Sequence, residues 1–243
     1  MSQSSEAEGA ERLNALISCA RTLFPKPIAT CVVPCHPSTS VDAEYALEAE
    51  AVEGACESRR LQYLAGRRAA REAFRQLDGP CGPLLQDASG AVGWPDGWTG
   101  SITHTKDWCV AATAHTTDCL RLGIDLEETQ RMNEPIARRV LLPTELDFAS
   151  TSSETFLPLA ALFFSAKEAL YKAVTPLVKQ RLGFHDVRLM VEKTSDGLHL
   201  RAELLPSDVE GRRVVSRLVG RGGFCGPFCL AAFHLPGSRP SQQ

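Results

Sequence analysis

The 243-residue sequence has no run approaching the ~18 consecutive apolar residues that a membrane-spanning helix needs. It has nine cysteines but no CxxC pair. The cysteines are odd in number and scattered through apolar runs such as DWCVAATAH and FCGPFCLAAF. That usage predicts buried free thiols in a reducing compartment rather than a disulfide framework or a zinc site. Cys225 and Cys229 stand four apart on what reads as a strand. The phosphate loop GxxxxGK[ST], the zinc helix HExxH, the nucleophile elbow GxSxG and the dinucleotide fingerprint GxGxxG are all missing, which removes four common catalytic plans. A net charge of -3 argues against a general nucleic-acid binder. The opening MSQSSEAEGAER has neither the positive start nor the apolar stretch of a secretory leader. It is expected to be a loose polar N-terminus on a cytoplasmic chain with no membrane partner.

What is present is the balance of a packed protein, with 44% hydrophobic and 23% charged residues. The pattern predicts a first strand over 27–34 and an acidic, helix-compatible stretch over 43–56. A helix follows over 57–77, where Leu61, Ala65, Ala69, Ala73 and Leu77 recur every four residues. DGPCGP breaks it, and 78–100 reads as loop. GSITHT leads into the apolar strand DWCVAATAH, and LGIDLE is the next strand. Short helices are expected over 134–142 and 143–149, then a Ser/Thr linker, STSSET, and a long helix over 156–174 with Pro158 in its first turn. The segments HDVRLMVE, GLHLRAEL, VVSRLVGR and PFCLAAFHL read as strands. This order predicts an α+β chain of two comparable halves, 1–121 and 122–243.

Four segments carry chemistry. In LGIDLE, strand alternation puts Asp125 and Glu127 on one face, their Cα atoms about 7 Å apart, with Ile124 and Leu126 on the other. Neighbouring carboxylates repel unless neutralised. A hard divalent cation does this, and Mg²⁺ favours one or two carboxylates plus substrate phosphate oxygens. In FFSAKEALYKAV, Ser165, Glu168 and Lys172 share one helical face, as a simple ion pair or as a ligand or base beside a phosphate contact. GSITHT gathers the hydroxyls of Ser101, Thr103 and Thr105 with the His104 imidazole, groups that suit a phosphate. The helix SRRLQYLAGRRAAREAFRQL carries Arg59, Arg60, Arg67, Arg68, Arg71 and Arg75, whose forks suit phosphate, an acidic partner protein or simply water. Each segment alone admits a plain structural reading: a solvated strand end, an i,i+4 pair, a polar strand start, a basic face.

Taken together, GRRAAR, WPDG, GSITHT, GIDLE and FSAKEALYK, running from about residue 62 to 172, resemble the 4′-phosphopantetheinyl transferases, and more narrowly the enterobactin-synthetase-component-D branch of the Sfp-like type. The resemblance implies a pseudo-dimer of two similar α/β halves with the site in the cleft between them, and a single chain that needs no partner copy. It implies transfer of phosphopantetheine from coenzyme A to a serine of an apo acyl or peptidyl carrier protein, with Mg²⁺ and release of adenosine 3′,5′-bisphosphate. The carrier could serve fatty-acid, polyketide, nonribosomal-peptide or siderophore synthesis. Asp125, Glu127 and Glu168 match the metal-binding acids, with Glu168 also a candidate base. Lys172 matches a lysine that contacts coenzyme A phosphate and assists the leaving group. Thr103 and His104 match the pair beside the 3′-phosphate, and Arg67 and Arg71 match positions near the nucleotide phosphates. Glu145 matches a further glutamate of open role. One departure stands out: where relatives carry a basic residue and then a proline ahead of the WP motif, this chain has Gly90 and Val92. Two other readings are an inactive carrier-binding module and a Mg²⁺-dependent phosphohydrolase acting on a nucleotide-type substrate.

Overall fold

In the computed structural model, which describes residues 3–35, 45–87, 90–152, 155–175, 177–178, 182–205 and 208–237, the strands form two antiparallel sheets. The first has the order β1-β3-β2, from β1 (Ala29–Pro34), β2 (Trp98–His104) and β3 (Trp108–His115). The second has the order β4-β8-β7-β6-β5, from β4 (Cys119–Glu128), β5 (Val187–Thr194), β6 (Gly197–Leu204), β7 (Val219–Cys225) and β8 (Phe228–Pro236). Helix α3 (Glu57–Arg75) packs on β1 and β3 of the first sheet, and α6 (Phe156–Val174) packs on β4 and β8 of the second. The fold is α+β, and its helix-on-sheet plan occurs twice.

Small residues allow both helices to lie close. Ala65, Ala69 and Ala73 of α3 and Ala166, Ala169 and Ala173 of α6 are all buried. The closest approach is at Gly123 of β4, where a Cβ would lie 2.0 Å from the Ala169 carbonyl oxygen. Any larger residue there would push α6 off the sheet. The opposite face of β4 presents Leu122, Ile124 and Leu126 to a second core with Val32 and Val110 of the first sheet and Leu230 of β8. β4 is thus buried on both sides, and its alternation sorts Gly123, Asp125 and Glu127 onto the α6 side.

The two sheets meet edge to edge along β2 and β4, but no backbone ladder joins them. Side-chain hydroxyls take its place. The Ile124 N–H donates to Ser101 Oγ at 3.2 Å and the Leu126 N–H to Thr103 Oγ1 at 3.2 Å. Thr99, Ser101 and Thr103 are buried at every second position of β2, as strand alternation requires. GSITH is therefore a strand in its own right, paired antiparallel with β3, and not merely the lead-in to one.

Other expectations are corrected. The N-terminal stretch is not loose: α1 (Gln3–Thr22) is a helix whose Leu16 and Ala20 are fully buried in the core, at 0% accessible. Leu13, Leu16, Ile17 and Ala20 recur at helical spacing after the polar opening and pack into the core shared by both sheets. VVSRLVGR is not one strand. α7 (Val209–Val215) takes its first two valines, with Asp208 capping the helix by accepting from the Glu210 N–H, and β7 begins at Val219. The helix-compatible stretch 43–56 shortens to α2 (Ala46–Glu50), and residues 43–44 lie outside the described residues. So do 88–89 of the loop and 153–154 of the Ser/Thr linker, whose first residues instead end α5 (Pro143–Thr151). α4 (Glu134–Val140) precedes it, capped by Asn133 accepting from the Ile136 N–H. Cys225 and Cys229 flank the β7–β8 turn, and all nine cysteines are free thiols. No helix among the described residues is long and apolar enough to cross a membrane.

Candidate active site

The seam between β2 and β4 brings three of the sequence's segments to one carboxylate. Asp125 projects toward α6, where the Lys172 ammonium donates to its Oδ1 at 2.7 Å and to the Ile124 carbonyl at 3.0 Å. From the other sheet, the Thr103 hydroxyl donates to the same Oδ1 at 3.0 Å. Oδ2 is buried and has no hydrogen-bond partner. A buried, unpartnered carboxylate oxygen is costly, and a ligand that supplied positive charge there would relieve the cost.

The charges around Asp125 tell the same story. Burial, then the nearby Asp125 carboxylate, push Glu127 up to about 7, against the pull of Arg131 and Lys172. Burial and Asp125 also raise Glu168, while Lys172 opposes. The acids are short of positive charge with Lys172 as their close partner. His104 is held below its usual range by burial and then by the nearby Arg59 and Lys172 cations.

Beside this cluster lies an open groove of about 870 Å³, lined by Ser58, Gln62, His104, Lys106, Glu128 and Arg131 among others. A smaller depression of about 270 Å³ shares Glu128 and Arg131 with it and adds Glu127 and the apolar Met132, Ile136 and Phe164. The large groove is lined by polar side chains, with the Lys106 and Arg131 cations alongside the Asp107 and Glu128 carboxyl groups. Its Ser58, Gln62, Lys106 and Arg131 were not among the candidate site residues of the sequence, whereas Arg59, which lies near it, belonged to the basic face of α3. The four-residue spacing of Ser58 and Gln62 on α3, and Lys106 directly after the THT run, were the available signals.

Comparison with known proteins gives the family. Residues 47–114 match the 4′-phosphopantetheinyl transferase N-terminal domain and residues 121–210 match the 4′-phosphopantetheinyl transferase superfamily. The 4′-phosphopantetheinyl transferase Svp of Streptomyces mobaraensis is 33% identical over 76% of this chain and 76% of its own length. The chain belongs to the 4′-phosphopantetheinyl transferase family. PptT of Mycobacterium tuberculosis is 33% identical over 62% of this chain and 66% of its own length. Enterobactin synthase component D of Salmonella typhi is 30% identical over 61% of each chain. This family member is an enzyme of the transferase class.

The structure gathers Thr103, His104, Asp125, Glu127, Glu168 and Lys172 around the seam, but it puts Arg67 and Arg71 elsewhere. Both are buried. Arg71 pairs with the fully buried Glu48 at 2.5 Å, and the same Glu48 Oε1 accepts from the Leu84 N–H at 2.8 Å. Arg67 Nε donates to the Leu84 carbonyl at 3.0 Å, and its guanidinium lies 3.8 Å from the centre of the Tyr63 ring. The two arginines bind α2 and the Leu84 segment to α3. Glu145 gains a role of the same kind. Its oxygens accept from the Leu142 and Leu189 N–H groups and pair with the buried Lys167 ammonium at 2.7 Å. Lys167 also donates to the Val140 and Phe184 carbonyls, so a satisfied buried ion pair joins α5, α6 and β5. The Gly90 departure has a local cause: its φ of 83° lies in the left-handed region that favours glycine, inside a turn closed by the Gln86–Val92 bridge.

The donor set fits a divalent cation in its chemistry: a buried carboxylate oxygen without a partner, with two further carboxyl groups near enough for the Asp125 charge to raise both. Among the described residues, however, no three His, Cys, Asp or Glu side chains converge into a ready-made metal cage. The site suits a cation that takes one or two protein carboxylates and draws its other ligands from substrate and water, the habit of Mg²⁺.

Proposed function

We propose that the chain transfers the 4′-phosphopantetheine arm of coenzyme A to a serine of an apo acyl or peptidyl carrier protein and releases adenosine 3′,5′-bisphosphate. The observation that carries this reading is Asp125, with Lys172 on one oxygen and the other buried and unpartnered, beside a polar groove of about 870 Å³. Asp125, with Glu127 or Glu168, would hold Mg²⁺, whose charge would offset that of the pyrophosphate. Lys106 and Arg131 in the groove, and Arg59 near it, meet the nucleotide phosphates, and His104 meets the 3′-phosphate, whose charge draws a proton onto the ring. The Glu168 carboxylate takes the proton of the carrier serine; its raised affinity for protons suits a base working near neutral pH. The serine oxygen forms the new bond to the phosphorus that bears pantetheine. The bond from that phosphorus to the bridging oxygen breaks, and the electron pair leaves on adenosine 3′,5′-bisphosphate, stabilised by the Lys172 ammonium. The 1–121 and 122–243 halves each contribute to this site, the first through Thr103 and His104, the second through the acids and Lys172.

The test is incubation with coenzyme A, Mg²⁺ and a panel of apo carrier domains, read by intact-protein mass. A carrier serine that gains phosphopantetheine supports the reading, and Asp125→Ala should abolish the gain while the circular dichroism of the variant stays native. Hydrolysis of coenzyme A with no carrier modified, or full turnover by Asp125→Ala, would overturn it.

A further inference from the structure

The resemblance places Thr103 beside the 3′-phosphate of coenzyme A, yet its hydroxyl is engaged inside the protein. Thr103 is 4% exposed. A threonine hydroxyl has one proton to donate, and here it goes to Asp125 Oδ1 at 3.0 Å. The Thr103 Oγ1 in turn accepts from the Leu126 N–H at 3.2 Å, one residue beyond the aspartate it holds. The hydroxyl is therefore tied to the backbone of β4 and to its carboxylate together. The β-branched side chain is stiff about its first torsion, so the grip is directional. His104, the next residue, points to the opposite side of β2 by alternation and lines the groove. The pair read from sequence as one phosphate contact thus separates into two functions.

We propose that Thr103 is a positioning residue: its hydroxyl, with Lys172, occupies Oδ1 of Asp125 and so fixes the carboxylate with Oδ2 left for the divalent cation, while His104 alone of the two serves the 3′-phosphate. The proposal rests on the transferase reading given above. The hydroxyl acts across the seam between the sheets, so the half that holds the nucleotide also sets the angle of the cation's ligand. Partners that orient metal ligands in this way commonly carry about 10–100-fold in metal affinity.

The experiment uses the full chain and Mn²⁺ as the probe, in the absence of coenzyme A, with binding read by electron paramagnetic resonance. Thr103→Val keeps the shape and removes both hydrogen bonds; Mn²⁺ binding should weaken by roughly tenfold. Thr103→Ser retains the hydroxyl and should restore that affinity. In steady-state transfer, Thr103→Val should raise the Mg²⁺ requirement but keep the wild-type preference for coenzyme A over 3′-dephospho-coenzyme A, whereas His104→Ala should lose that preference. If Thr103→Val does not fold, Thr103→Ala takes its place in the same measurements. Wild-type Mn²⁺ affinity in a folded hydroxyl-free variant, or a lost 3′-phosphate preference in that variant, overturns the assignment. Wild-type protein that modifies no carrier domain would instead overturn the transferase reading, and the Mn²⁺ comparison would still judge Thr103's hold on Asp125.

Discussion

Glu127 and His234 respond to acid in opposite senses. Glu127 rises from 4.5 to about 7 on folding, mainly through burial and the Asp125 charge, so the folded state holds its proton more tightly. Its contribution to stability is greatest below pH 4.5 and declines as pH rises to 7. His234 is 5% exposed and falls from 6.5 to about 4, through burial and then Arg221. Its neutral ring favours folding above pH 6.5, and that stability is lost as pH falls toward 4. Each shift corresponds to at most about 3 kcal/mol, less for the partly solvated Glu127. Between pH 4.5 and 6.5 the two offset one another. Urea unfolding of Glu127→Gln should show stability rising with pH across this window more steeply than in the wild type, and His234→Gln the reverse; parallel curves would refute the pairing. The acid pair itself was legible in the sequence, because strand alternation needs only the order of residues. The hydroxyl that holds Asp125 was not, because Thr103 stands 22 positions away on a different sheet. The internal partners of Arg67 and Arg71 were hidden for a related reason: an arginine's sequence neighbours do not reveal that Glu48 or the Leu84 carbonyl will meet it.

At the scale of elements, α6 carries two lysines with different duties. Lys172 reaches the site, while Lys167 is buried against Glu145 and two carbonyls. Lys167→Met should cost about 3–5 kcal/mol, since it leaves the Glu145 charge buried without its counterion. Combining it with Glu145→Gln should cost less than the sum of the single variants, because the uncompensated charge is gone. Urea melts of the four proteins complete the cycle, and strict additivity would show that the pair is not coupled. The two long helices were readable from their alanine and leucine spacing, and β4 from its alternation. α1 was hidden by its acidic, polar opening, although Leu13, Leu16, Ile17 and Ala20 hold the periodicity that folds it. α7 was hidden by Val214 and Val215, whose β-branched character reads as strand until the Asp208 cap is seen.

At the scale of the molecule, one core joins the two sheets. It collects Leu16 and Ala20 from α1, Val32 and Val110 from the first sheet, and Ile124, Leu126 and Leu230 from the second. All three tryptophans, Trp94, Trp98 and Trp108, belong to the first half. Indole fluorescence therefore reports that half, while amide circular dichroism reports both. The shared core predicts coincident unfolding transitions by the two probes. Leu16→Ala should lower both midpoints together, at a cost of about 2–5 kcal/mol. Separate transitions would show the halves to be independent. The repeated helix-on-sheet plan could be anticipated from the order of elements; the way one half completes the other could not, since it depends on contacts between distant strands.

The hydroxyl row between β2 and β4 has a consequence for either half taken alone. Both strands are sheet edges. Cut apart, β2 and β4 would each present open backbone groups of the kind that recruit foreign strands and seed aggregates. Ser101 and Thr103 satisfy the Ile124 and Leu126 N–H groups of β4 without forming a ladder, so the protein guards this edge with side chains. Splitting the chain near residue 121 for reporter or complementation work would expose that edge. The fragments would need to be brought together at once, or be blunted with edge charges, to remain in solution.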